Sequence, residues 1–129
     1  MGNSPISAGD VLLIEYPPGA TRLHFCIALC DQYGDPPRVI IVPVNTKTAK
    51  TDPAVVISPG EHPSISNDTC VTYVLAESLS VDFLWRKVVD VKQPLSPDLF
   101  ERVLAGAQAS KQTKNRIKRE LREVEERNV

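Results

Sequence analysis

Breakers set the grain of this chain. The apolar run DVLLIEY (Asp10 to Tyr16) stops against Pro17, Pro18 and Gly19, and QYGDPP (Gln32 to Pro37) separates LHFCIALCD from RVIIVPVNT. Proline fixes φ and lacks an N–H, while glycine opens the left-handed region of backbone space, so each cluster enforces a turn. The stretches left between turns are too short for substantial helices and rich in Val and Ile, which favours buried strands. AVVIS (Ala54 to Ser58) adds another. TCVTYVLAESLSV (Thr69 to Val81) follows, with Val71, Tyr73 and Leu75 alternating with polar or small neighbours, and LWRKVVDV reads as a last short strand. Short strands joined by Gly/Pro-rich turns predict a mainly β fold of the α+β class, a small, strongly bent antiparallel sheet or barrel.

The period then changes. SPDLFERVLAGAQASKQ opens with Ser96 as N-cap, Pro97 at the first helical position and Asp98 in the first turn. Leu99, Val103 and Ala107, with Phe100 and Leu104 beside them, make one apolar stripe that predicts a C-terminal α-helix packed on the sheet. Beyond Ser110 the chain is mostly charged, yet Ile117, Leu121 and Val124 recur at helical spacing. This predicts a charged helical tail, either solvated or turned toward a partner or RNA. With 129 residues and 42% hydrophobic content, one domain is expected: residues 1–110 as the barrel with its closing helix, 111–129 as the tail of the same domain.

Several function classes recede on composition. A formal charge of −1 does not suit a protein that binds nucleic acid by charge alone, although a local basic surface remains open. Three cysteines, Cys26, Cys30 and Cys70, form no CxxC pair, and two lie in apolar runs where the thiol packs as a small hydrophobe, so a reducing cytoplasmic location is expected. MGNSPISAGD lacks a signal-peptide pattern, its Gly2 reads as a chance match to a myristoylation start, and no apolar run approaches a membrane span. Gly19, Gly34 and Gly60 are isolated turn glycines rather than a phosphate loop, and no HxxxH or CxxC spacing supports a metal, so neither metal nor cofactor is expected. Cys70 beside Asp68 offers a nucleophile in principle, though a strand start suits a structural role. Trp85, with Phe83 and Leu84, reads as core or dimer interface rather than as an RNA-stacking platform.

The candidates for chemistry are few because the chain has two histidines, His24 and His62. His62 lies in GEHPSISNDTCVTY, a dense patch of small polar residues before a β-like run. Flanked by Glu61 and Pro63, it is expected at a solvent-accessible rim within reach of Thr46, or as part of a plain turn. Acid–base chemistry without a metal needs a proton acceptor, a proton donor and a cation for the charge that develops in the transition state. Two histidines and an arginine would meet those needs if His24 and His62 converged with Thr46 and Asp68 on one rim.

The order of segments resembles the MazF/PemK-type toxins of bacterial toxin–antitoxin systems, which share a small SH3-like barrel with the CcdB-type gyrase poisons. GDVLLIEY resembles the family's opening strand, and VIIVPVNTKT its third strand, which ends in threonine or serine. NDTCVTYVLAESLSVDFLWRKV is similar to its later strand segment, and LSPDLFERVLAGAQ to its closing helix. The match spans about residues 9 to 108. It implies an endoribonuclease acting on single-stranded RNA, a cognate antitoxin protein as partner, and a homodimer.

Nuclease members of that family carry an essential arginine at the start of the second strand. Aligning TRLHFCIAL by its apolar run sets His24 on that position, with Arg22 two residues earlier. The resemblance carries Thr46 over as a residue that helps hold the scissile phosphate, with Asn45 and Lys47 beside it. His24, His62, Thr46 and Arg22 are thus the expected catalytic set, and Asn45, Lys47, Asp68 and Thr69 the expected RNA-binding set. The alternative reading is a non-catalytic CcdB-like barrel that binds a protein, as gyrase poisons or regulators do. The displaced arginine favours it.

Overall fold

The structure is a computed structural model that describes residues 4–15 and 22–127. Gly2 and the turn expected at Pro17–Gly19 lie outside the described residues. Among the described residues, seven strands and three helices follow in order. Strand β1 is Val11–Glu15, β2 Leu23–Ala28, β3 Arg38–Thr46, β4 Val56–Ile57 and β5 Thr69–Val71. A 3₁₀ turn at Tyr73–Leu75 leads to β6 (Glu77–Ser80), α1 (Val81–Lys87) and β7 (Val88–Lys92), and the chain closes with α2 (Pro97–Ala109) and α3 (Asn115–Arg127). The strands form one antiparallel sheet in the order β4-β5-β3-β2-β1-β7, with β6 added to β3. The mainly β, α+β class matches the sequence reading.

The long strand β3 organises this sheet. Its first half, Arg38 to Ile41, pairs with β6, and its last three residues, Val44 to Thr46, pair with β5. Two partners on one edge require the intervening chain to change direction, and Tyr73–Leu75 is where it does so. Sequence predicted one strand from Thr69 to Val81; the structure breaks it there. Tyr73 is fully buried, and its hydroxyl donates to the Val103 carbonyl at 2.6 Å, so the ring is drawn out of the strand's alternation toward α2. The last predicted strand is likewise divided, since Leu84–Lys87 belong to α1. Ser80 caps that helix, its hydroxyl accepting from the Phe83 N–H at 3.1 Å, with Asp82 in the first turn and Arg86 and Lys87 in the last. Capping and dipole chemistry prevail over the β-propensity of the valines next to them.

Helix α2 begins as its sequence dictates, Ser96 accepting from the Leu99 N–H at 3.3 Å ahead of Pro97. It buries Leu99, Val103 and Ala107, and also Gly106. A Cβ at Gly106 would overlap the Tyr73 hydroxyl and Val55, so glycine sets how closely this helix approaches the sheet. The charged tail becomes α3, which buries Ile117, Leu121 and Val124 in the same core as the strands instead of leaving them to solvent. Polar ties fix its other side. Arg116 grips Glu77 of β6 with two hydrogen bonds of 2.7 and 2.9 Å, and the Tyr33 hydroxyl donates to Glu120 at 2.6 Å.

Candidate functional site

The β2–β3 ladder ends at Cys26–Pro43, although β2 begins three residues earlier and β3 runs on to Thr46. Beyond that pair the strands part. The gap is a cleft of about 160 Å³ lined by Phe25, Val44 and Ile65 and by the polar residues Asn45, Thr46, Ser64, Ser66, Asn67 and Thr69. Three of the sequence candidates, Asn45, Thr46 and Thr69, thus meet in one place. Thr46 is exposed, whereas Thr69 is buried and donates its hydroxyl to the Asn67 carbonyl at 2.8 Å. Lys47 and Asp68 stand just outside, both exposed, joined by the Lys47 N–H to the Asp68 carbonyl at 2.8 Å. Sequence reading assigned no role to Phe25, Ser64, Ser66 or Asn67. The polar cluster SISND was the available signal, but which strand it would face was not readable.

His62 corrects an expectation. Its side chain is not on a rim: the residue is 5% exposed and lines an apolar slot with Phe25, Ile57 and Leu95. Nδ1 accepts from the Ser64 N–H at 3.0 Å, which leaves Nε2 to donate to the Gln93 carbonyl at 2.5 Å. Both ring nitrogens are engaged, so the imidazole fastens the loop to the segment after β7 instead of presenting a free proton site. Glu61 secures the other side of that loop. Its carboxylate accepts from the Ser58 N–H at 2.7 Å and pairs with Arg102 of α2, which also donates to the Val56 carbonyl at 2.7 Å. The Ser58 N–H first, and then Arg102, hold the Glu61 carboxyl below the ordinary range. GEHPSISND is an anchored loop whose far end forms a wall of the cleft.

The other histidine lies elsewhere. Side chains alternate along a strand, and the register pairs His24 with Ile14 and Cys26 with Leu12 and Pro43. His24 therefore shares its face with Asn45, while Thr46 sits with Val44 on the opposite face. The convergence of both histidines with Thr46 and Asp68 is not formed. Arg22 is exposed and precedes the first residue of β2, so it occupies a bend rather than a strand face. Asn45 donates its amide to Thr72 Oγ1 at 2.7 Å. A nucleophilic Cys70 is also set aside, because that residue is fully buried. Burial likewise pushes the Cys26 thiol far up and the Cys30 thiol to about 11.

No helix among the described residues is long and apolar enough to cross a membrane. No protein-family model matches the chain, and no curated protein is similar to it in sequence. Its fold is similar to that of a solved structure of an endoribonuclease in complex with its cognate antitoxin, from a mycobacterial species. The superposition has a TM-score of 0.56 at 16% identity and covers 81% of this chain and 92% of that one. The likeness is therefore one of fold, carried with little sequence in common.

Proposed function

We propose that this chain is a toxin-type endoribonuclease of the MazF/PemK kind, an SH3-like barrel that works as a cytoplasmic homodimer on single-stranded RNA and is restrained by an antitoxin protein. The observation that carries the reading is the cleft where β2 and β3 part, with Thr46, Asn45 and Thr69 in its lining, His24 near the start of β2 and Arg22 in the bend just before it. The fold's likeness to an endoribonuclease bound to its antitoxin supports it. A strand's two faces meet at its end, so an RNA crossing the end of β3 and the start of β2 passes Thr46 on one side and His24 and Asn45 on the other. Hydroxyl and amide groups there can hold a phosphate, and the guanidinium of Arg22 can meet the charge that develops on phosphorus. With His62 engaged internally, His24 is the imidazole left for proton transfer. Phe25, partly buried, lines the same cleft and offers a base the accessible part of an aromatic ring.

The test is to incubate the protein with mixed single-stranded RNA in EDTA and map any new ends. Metal-independent cleavage by the 2′-hydroxyl leaves 2′,3′-cyclic phosphate and 5′-hydroxyl termini. Intact RNA after prolonged incubation with folded protein would sink the nuclease reading. The second reading, a non-catalytic CcdB-like barrel that binds a protein, is favoured by one observation: the engaged His62 ring removes half of the acid–base pair that the enzyme reading first relied on.

A further inference from the structure

Strand β7 ends the sheet, and among the described residues nothing pairs with its outer edge. It also carries the two most exposed large apolar side chains among those residues, Val89 at 63% and Val91 at 54%. They border a hollow of about 610 Å³ that Leu12 and Trp85 help to line. An edge of this kind invites another strand unless charge or a bulge discourages it. Both features are present, a bulge at Val89 and the charges of Asp90 and Lys92, and their arrangement selects a partner.

Backbone directions come first. The Asp10 carbonyl accepts from the Ala28 N–H at 2.9 Å, so the even residues of β1 bond toward β2 and the odd ones, Val11 and Leu13, toward β7. Their partners are Lys92 and Asp90, which therefore bond inward. The N–H and carbonyl of Val91 point outward. In accord with this, the Val91 N–H is met at 2.9 Å by the carboxylate of Asp90, which also pairs with Lys92 at 2.7 Å.

We propose that β7 pairs antiparallel with β7 of a second copy of this chain, with the twofold axis at Val91. Only outward-pointing residues can bond across such an edge, which leaves three registers near this point. Setting Val89 against Val91 of the second copy brings Asp90 opposite Asp90. Setting Val91 against Gln93 brings Lys92 opposite Lys92 and calls on a Gln93 carbonyl that His62 already holds. Setting Val91 against Val91 puts each Asp90 opposite a Lys92, twice by symmetry, and makes two Val91 N–H to Val91 carbonyl bonds. Like charges directly opposite oppose pairing and unlike charges favour it. The edge is self-complementary in one register. No donor is lost, because the Val91 N–H exchanges its own neighbour's carboxylate for the second copy's carbonyl. The bulge at Val89 limits the paired strip, and the second copy covers the exposed valines beside the hollow. This rests on the homodimer reading above for its stoichiometry alone.

Sedimentation velocity over a concentration series, on the full chain, tests it. The wild type is expected to self-associate. Asp90→Lys and Lys92→Asp should each weaken association at least ~10-fold, and combining them should restore it to near the wild-type value. Val91→Pro, which removes an outward N–H that no internal strand uses, should abolish association while leaving the thermal unfolding cooperative. A dimer indifferent to all of these substitutions overturns this interface and leaves the homodimer reading standing. A monomer at every concentration overturns both, and RNA cleavage by that monomer would still uphold the nuclease reading.

Discussion

His62 holds the loop at Glu61–Asn67 through both ring nitrogens, donating to Gln93 and accepting from Ser64. Replacing it with alanine removes both hydrogen bonds and the ring's packing in the apolar slot, and the expected cost is about 1–3 kcal/mol in urea unfolding. Amide exchange in the loop should quicken in the same variant. Gly106 is the second decisive single residue. Alanine there improves helix propensity by up to about 1 kcal/mol, but its methyl must displace both Tyr73 and Val55, costing about 1–3 kcal/mol. Net destabilisation with a lowered Tm is expected, and a raised Tm would show that the contact yields. His24 and Arg22 carry the chemical prediction. With folding verified, His24→Ala should cut RNA turnover at least ~10²-fold with binding nearly unchanged. Arg22→Ala should instead act mainly on binding or on charge stabilisation in the transition state. Variants of both residues cleaving at the wild-type rate would refute the assignment to the start of β2.

At the scale of elements, α3 depends on charge as well as on its apolar stripe. Arg116 bonds both oxygens of Glu77, and Lys114 stands 3.6 Å away. Arg116 above all holds the Glu77 carboxyl below its ordinary range. A carboxyl depressed in the folded state contributes its stability in full above the unfolded pKa, near 4.3, and loses it as pH falls through the lower folded value. Denaturation measured from pH 7 to pH 3 should therefore show a decline that is shallower in Glu77→Gln, the remainder coming from other depressed carboxyls such as Glu61. The difference at pH 7 should be no more than about 1 kcal/mol, because the Arg116 side chain is half exposed. Removing residues 111–129 should do far more. Ile117, Leu121 and Val124 are 0%, 0% and 2% exposed, and deleting them uncovers the core they share with the strands, so cooperative unfolding should be lost. The sequence displayed the helical period of this segment clearly. It did not show where the apolar stripe would dock, because three apolar residues among many charges suit a solvated helix equally well until a groove is there to receive them.

For the molecule as a whole, the near-neutral charge sets how RNA would bind. In the proposed site Arg22 and Lys47 are the cations that meet the RNA, and with a formal charge of −1 for the whole chain affinity for single-stranded RNA should depend only shallowly on salt. Two phosphate contacts give a log–log slope of about −1.4, which fluorescence anisotropy across a salt series would measure; a much steeper slope would place the RNA elsewhere. The sequence by itself determined the local grammar of this protein. The QYGDPP cluster separated β2 from β3, Ser96 and Pro97 started α2, and β-branched density made the sheet, all through forces acting between near neighbours in the chain. Tertiary structure decided the rest. It moved His62 from rim to interior, drew Tyr73 out of its strand, set His24 and Thr46 on opposite faces, and opened the cleft where β2 and β3 part. Each of those outcomes turns on which strand lies beside which and in what register. A shift of one residue in register reverses the face of every side chain on a strand, and nothing in the local sequence fixes that choice before the chain has folded.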